Sequence, residues 1–128
     1  MQHSILIVED EPLIRDLIKT YLDPVGCLTT EAGDLAGARK ALAGPAPAVV
    51  LLDLRLPDGN GLSLLPEIKR QWPTTRVVIL TGDGTVETAE QAYKQDDVYL
   101  LNKPFDAEML RTVVELSLTS GKDGELKH

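Results

Sequence analysis

Apolar residues fall in this chain in short solid blocks separated by stretches of helical periodicity. The blocks are Ser4-Ile5-Leu6-Ile7-Val8, Ala48-Val49-Val50-Leu51-Leu52, Arg76-Val77-Val78-Ile79-Leu80 and Val98-Tyr99-Leu100-Leu101-Asn102. A weaker strand is expected near Cys27 to Glu31. The block before Asp53 is apolar throughout, as in a strand covered on both faces in the middle of a parallel sheet. Between the blocks, five sets recur at helical spacing. They are Leu13, Ile14, Leu17, Ile18, Tyr21 and Leu22; Leu35, Ala38 and Leu42; Leu62, Leu65 and Ile68; Val86, Ala89, Ala92 and Tyr93; and Met109, Leu110, Val113 and Val114. Pro12 suits a first helical position, and Asp34 and Asp106 suit N-caps. Pro24 with Gly26, Gly44 with Pro45 and Pro47, Pro57 with Gly59 and Gly61, and Pro73 punctuate the pattern. Strand and helix alternating five times predict a three-layer α/β sandwich with right-handed crossovers. One domain is expected over 1–119, followed by a polar tail over 120–128 that is a frayed end or a linker stub.

Bulk properties narrow the chemistry. With 128 residues and 43% hydrophobic content the chain can bury a proper core. A net charge of −7 argues against non-specific binding to nucleic acid or anionic membrane. Cys27 is the sole cysteine, so no internal disulfide forms, and a small, partly buried side chain is the expected role. The two histidines, His3 and His128, lie at the chain ends, which disfavours triads, zinc sites and a phosphohistidine carrier inside the fold. No apolar stretch reaches membrane-spanning length. Met1-Gln2-His3 lacks a charged leader, and the cytoplasm is the expected compartment.

The ends of the blocks carry the chemistry. The first is followed by Glu9-Asp10, the second by Asp53, the third by Thr81 and the fourth by Lys103-Pro104. Carboxyl ends of parallel strands share one edge, where open α/β sheets bind ligands. Three carboxylates gathered there require a cation or a proton, and oxygen donors in an incomplete cage suit Mg²⁺. Each residue has a plain reading by itself. Glu9, Asp10 and Glu11 suit a helix N-terminus, Thr81 a turn, and Lys103 the surface. The full set at consecutive strand ends argues for a site. Asp53 is the nucleophile candidate, because a carboxylate can attack phosphorus to form an acyl phosphate. Lys103 and Thr81 can then offset charge on the phosphoryl oxygens. A cis Lys103–Pro104 bond would aim the lysine back across the strand ends, and Pro104 permits either isomer.

The motifs Ile7-Val8-Glu9-Asp10-Glu11, Asp53-Leu54-Arg55-Leu56-Pro57-Asp58-Gly59-Asn60-Gly61-Leu62, Val78-Ile79-Leu80-Thr81-Gly82 and Lys103-Pro104-Phe105 together resemble the response-regulator receiver domain, the CheY-like family of two-component signalling. The resemblance runs from about Ser4 to Leu118. It implies a flavodoxin-like fold with strand order 2-1-3-4-5. It also implies that Asp53 takes a phosphoryl group from a partner's phosphohistidine, supplied by a sensor histidine kinase or phosphotransfer protein. Asp10, Asp53 and the Arg55 backbone carbonyl would bind Mg²⁺, with Glu9 acting through a water, and Thr81 and Lys103 would grip the phosphoryl oxygens. Such a module is a phosphoacceptor that catalyses only its own phosphorylation and dephosphorylation. Its output passes to a downstream protein or fused domain through the face of the fourth helix, fifth strand and fifth helix.

Two departures from the family pattern stand out. Asp96 and Asp97 occupy places usually held by Gly and Ala. Leu100 stands where an aromatic residue is usual, and the aromatic Tyr99 comes one residue early, on the opposite face of a regular strand. A shift of Leu100, or a bulge re-aiming Tyr99, are the two routes left for the switch. Arg55 and Asp83 are expected to pair across the pocket mouth and slow hydrolysis; two solvated loop charges are the plain alternative. The fourth helix, with Glu87, Glu90, Asp96 and Asp97, is expected to be weakly anchored and acidic. Three rivals remain: a flavodoxin-like cofactor binder using Thr81-Gly82-Asp83-Gly84-Thr85, an aspartate-nucleophile phosphatase, and a phosphorylation-independent interaction module of the same fold.

Overall fold

The structure, a computed structural model, describes residues 3–82 and 97–119. Asp83, the expected fourth helix and the tail over 120–128 lie outside the described residues. Five parallel strands form one sheet: β1 (Ser4–Val8), β2 (Leu28–Ala32), β3 (Val49–Asp53), β4 (Arg76–Thr81) and β5 (Val98–Asn102). Their order across the sheet is β2-β1-β3-β4-β5, so the chain runs outward from β1 in one direction and then the other. A minimal hairpin pairs Arg55–Leu56 with Gly59–Asn60 just beyond β3.

Because side chains alternate across a strand, the sheet sorts its apolar residues into two layers. Leu6, Val8, Val50, Leu52, Val77 and Ile79 pack on one face beneath α2 (Leu35–Ala41) and α3 (Leu65–Gln71). Ile5, Ile7, Val49, Leu51, Val78 and Leu80 pack on the other, beneath α1 (Pro12–Leu22) and α4 (Ala107–Thr119). Every residue of β3 is buried, which accounts for the unbroken apolar block before Asp53. Asp34 Oδ1 accepts from the Gly37 amide at 2.7 Å, and Asp106 Oδ1 from the Met109 amide at 2.8 Å, so both expected caps form. Gly26 turns the chain after α1 at φ 78, a backbone region that favours glycine.

The helical stripes need correction. Leu13 is 81% exposed and Leu17 41%. Only Ile14, Ile18, Tyr21 and Leu22 of α1 reach the sheet, because six apolar residues span a wider arc than one flat face covers. Met109 is likewise exposed, whereas Leu110 and Val114 are buried. Cys27 is half-buried against the second layer, where burial pushes its thiol up and keeps it protonated.

Candidate functional site

The register of the sheet builds the site. Val8 lies beside Leu52, Asp53 beside Leu80, and Thr81 beside Asn102. Glu9, Asp53, Thr81 and Lys103 therefore leave the sheet along one edge. The Lys103 amide donates to the Thr81 carbonyl at 2.7 Å, carrying the β4–β5 pairing one residue past the strand. Glu9 and Asp53 are buried. Asp10 is exposed at the rim, and Thr81 is buried at the end of β4.

One oxygen from each of Glu9, Asp10 and Asp53 lies within 4.8 Å of the others. Lys103 Nζ reaches into this group, 2.9 Å from Glu9 Oε1 and 3.2 Å from Asp53 Oδ2. The second oxygen of Glu9 and of Asp53 each has a backbone partner. Asp53 Oδ1 accepts from the Arg55 amide at 3.1 Å and Glu9 Oε2 from the Glu11 amide at 3.2 Å. Burial pushes the Glu9 carboxyl up to about 7; the Lys103 hydrogen bond opposes this and the Asp53 charge reinforces it. Burial also works against the Lys103 ammonium, but Glu9 and Asp53 outweigh it and hold that ammonium above its ordinary value. One ammonium against three carboxylates leaves negative charge unbalanced, and two carboxylates about 4 Å apart repel by about 4 kcal/mol at an effective dielectric near 20. An all-oxygen donor set with that excess fits a hard divalent cation such as Mg²⁺.

Other expected residues are placed as follows. The Lys103–Pro104 peptide is cis. Arg55 is exposed in the hairpin beyond Asp53, and its expected partner Asp83 lies outside the described residues. Leu100 packs on the α2–α3 face and Tyr99 on the α1–α4 face, with no bulge in the β4–β5 register. Asp97 takes a left-handed conformation, φ 66, immediately before β5.

Three contacts around the site could not be read from the sequence. Arg15 Nη1 donates to the Glu9 carbonyl at 2.6 Å. Asp58 accepts from the Leu35 and Ala36 amides at 2.8 and 3.1 Å, tying the loop after Asp53 to the start of α2. Gly61 lies so close to the Asp53 carbonyl that a Cβ there would collide with its oxygen. Helical spacing identifies faces, not the tertiary partner of a polar side chain, so only coordinates reveal these contacts.

A doubly wound parallel sheet with an acidic, lysine-capped pocket at the strand ends defines an α/β module whose candidate site lies at one sheet edge. The family model for the response regulator receiver domain matches residues 5–115, and the chain belongs to that family. It is 38% identical over 120 residues to the nitrogen assimilation regulatory protein NtrX of Azorhizobium caulinodans, covering 92% of this chain and 26% of the relative. It is 40% identical over 113 residues to the response regulator protein PilR of Pseudomonas aeruginosa, covering 88% and 25%. The chain thus spans about a quarter of the length of these relatives. The crystal structure of the NtrX receiver domain from Brucella abortus superposes with a TM-score of 0.82 at 39% identity, covering 91% of this chain and 99% of that one. The function of this chain is therefore that of a receiver domain, the phosphoacceptor switch module of two-component signalling. No helix among the described residues is long and apolar enough to cross a membrane.

Proposed function

We propose that Asp53 is the phosphoacceptor and that Glu9, Asp10, Thr81 and Lys103 serve the transfer. The carrying observation is the position of Lys103 Nζ, within 3.2 Å of Asp53 and 2.9 Å of Glu9 beside the three-carboxylate group. An Asp53 oxygen attacks the phosphorus of a phosphohistidine on a sensor kinase or phosphotransfer protein. The new P–O bond forms as the P–N bond breaks, and the imidazole leaves with its electron pair and takes up a proton. Asp10, Asp53 and the Arg55 carbonyl would hold Mg²⁺, and Glu9 would act through a water. When bound, the ion offsets charge on the phosphoryl oxygens. Lys103 turns from the carboxylates to a phosphoryl oxygen, and the Thr81 hydroxyl donates to another. Water later hydrolyses the acyl phosphate in the same pocket. The phosphorylated domain then signals through the face carrying β5 and α4 to a partner or to an output domain, the latter in keeping with the fourfold greater length of the relatives.

Incubation with acetyl phosphate and Mg²⁺, followed by intact mass, tests this reading. One added phosphoryl group that is lost with Asp53→Asn and with chelation is the expected result. Label persisting in Asp53→Asn, or none in the parent, overturns it.

A further inference from the structure

Glu9 is held at three points. Its amide donates to the Ala32 carbonyl on β2 at 3.0 Å, and its carboxylate accepts from Glu11 and Lys103. Its carbonyl accepts from Arg15 Nη1 at 2.6 Å. That carbonyl belongs to the peptide plane joining Glu9 to Asp10, so its orientation sets the direction in which Asp10 leaves the chain. Arg15 projects from α1 and is itself oriented. Its Nε donates to Glu31 Oε1 on β2 at 2.8 Å, and the other Glu31 oxygen accepts from Lys19 Nζ at 2.7 Å. Its side chain is only 19% exposed. The guanidinium lies against the bare backbone of Gly33, where a Cβ would stand 3.3 Å from Nη1.

An exposed ion pair adds little to stability, so the Arg15–Glu31 contact does not by itself explain this arrangement. The planar fork of arginine can donate to a carboxylate and a carbonyl at once in fixed geometry, which one lysine ammonium does far less well. We propose that Arg15 is a positioning residue for the cation pocket. Through the Glu9 carbonyl it fixes the peptide that presents Asp10 beside Asp53, and Glu31 orients the fork. This rests on the reading that the pocket takes Mg²⁺, and it assigns a role to residues that touch neither the ion nor the phosphoryl group.

The test is Mg²⁺ affinity of the full chain, read from amide shifts of Glu9 to Glu11 without any phosphodonor. Outer partners of metal ligands commonly change affinity by about tenfold or more. Arg15→Met is expected to raise the Mg²⁺ dissociation constant about tenfold, and Arg15→Lys to restore little of it. Glu31→Ala is expected to raise it by about threefold, as a loosened fork requires. A constant within about twofold of the parent in Arg15→Met overturns the assignment, whatever the melting temperature does. Should Arg15→Met fail to fold, an unchanged constant in Glu31→Ala overturns it. Failure of the underlying reading looks different: the parent itself binds no Mg²⁺, or Asp10→Asn binds it as well as the parent.

Discussion

Tyr99 and Leu100 are adjacent on β5 and pack on opposite faces of the sheet. Tyr99 joins the layer of Val78, Leu110 and Val114, and Leu100 the layer of Val77 and Ile79. The aromatic ring therefore lies on the side of α4, and the β4–β5 register carries no bulge to re-aim it. Each truncation to Ala should cost about 1–3 kcal/mol, less than a fully buried site because both side chains are partly exposed. With the sheet between them and no shared layer, the two costs should add to within about 0.5 kcal/mol. Urea unfolding of both single variants and the double variant measures this. A larger coupling would show that the faces communicate through β5.

Glu9 makes the stability of the metal-free protein depend on pH in a defined direction. Its folded value, about 7, lies above the ordinary 4.5. The protonated form is thus favoured by folding, and its contribution is complete below pH 4.5 and lost as pH rises through about 7. The melting temperature without Mg²⁺ should fall across that window, and Glu9→Gln should flatten the fall. A slope of the same size in Glu9→Gln would assign the effect to another group.

Much of the scaffold was legible because its signals are local. An unbroken apolar block identifies β3, and a lone Asp before a helical stripe identifies the caps at Asp34 and Asp106. Strand ends in a parallel sheet share an edge whatever the loops do, so Glu9, Asp53 and Lys103 could be placed together before any distance was known. The exposed Leu13 and Leu17 could not be foreseen, since periodicity reports a face but not what covers it. Arg15, Asp58 and the close approach at Gly61 depend on how loops fold back on neighbouring elements, which no spacing encodes.

The start of α2 tests how the loop after Asp53 is fixed. Asp34 caps the helix from within and Asp58 from across the loop. Asp34→Ala should cost about 1 kcal/mol, the usual worth of such a cap. The two amides facing Asp58, Leu35 foremost, hold its carboxyl below the ordinary value. Its contribution is therefore present above pH 3.8 and lost as pH falls through the lower folded value. Asp58→Asn should weaken acid sensitivity in that range, as thermal melts at low pH would show.

Gly61 sets how tightly that loop can turn. A methyl group there would collide with the Asp53 carbonyl oxygen and approach Leu54 Cα to 3.1 Å. Both obstacles are backbone, so the loop itself must move. Gly61→Ala should destabilise by about 1–3 kcal/mol and slow labelling of Asp53 by acetyl phosphate. Unchanged stability and labelling would mean that the loop yields freely.

Lys103 is the cation that the pocket supplies for itself. It stands between Glu9 and Asp53, both buried, while its own side chain is 25% exposed. Removing one partner of a buried ion pair leaves an uncompensated charge, and partial exposure of the lysine reduces that penalty. Lys103→Met should therefore destabilise the metal-free protein by about 2 kcal/mol near pH 8. Part of this loss should return near pH 6, where Glu9 takes up a proton. Millimolar Mg²⁺, binding only the folded state, should raise the melting temperature of both proteins. The rise should be larger in Lys103→Met, because the ion then replaces the missing ammonium instead of displacing it. Melting curves at the two pH values, with and without Mg²⁺, separate these effects. An equal Mg²⁺ shift in parent and variant would show that Lys103 and the cation do not compete for the same carboxylates.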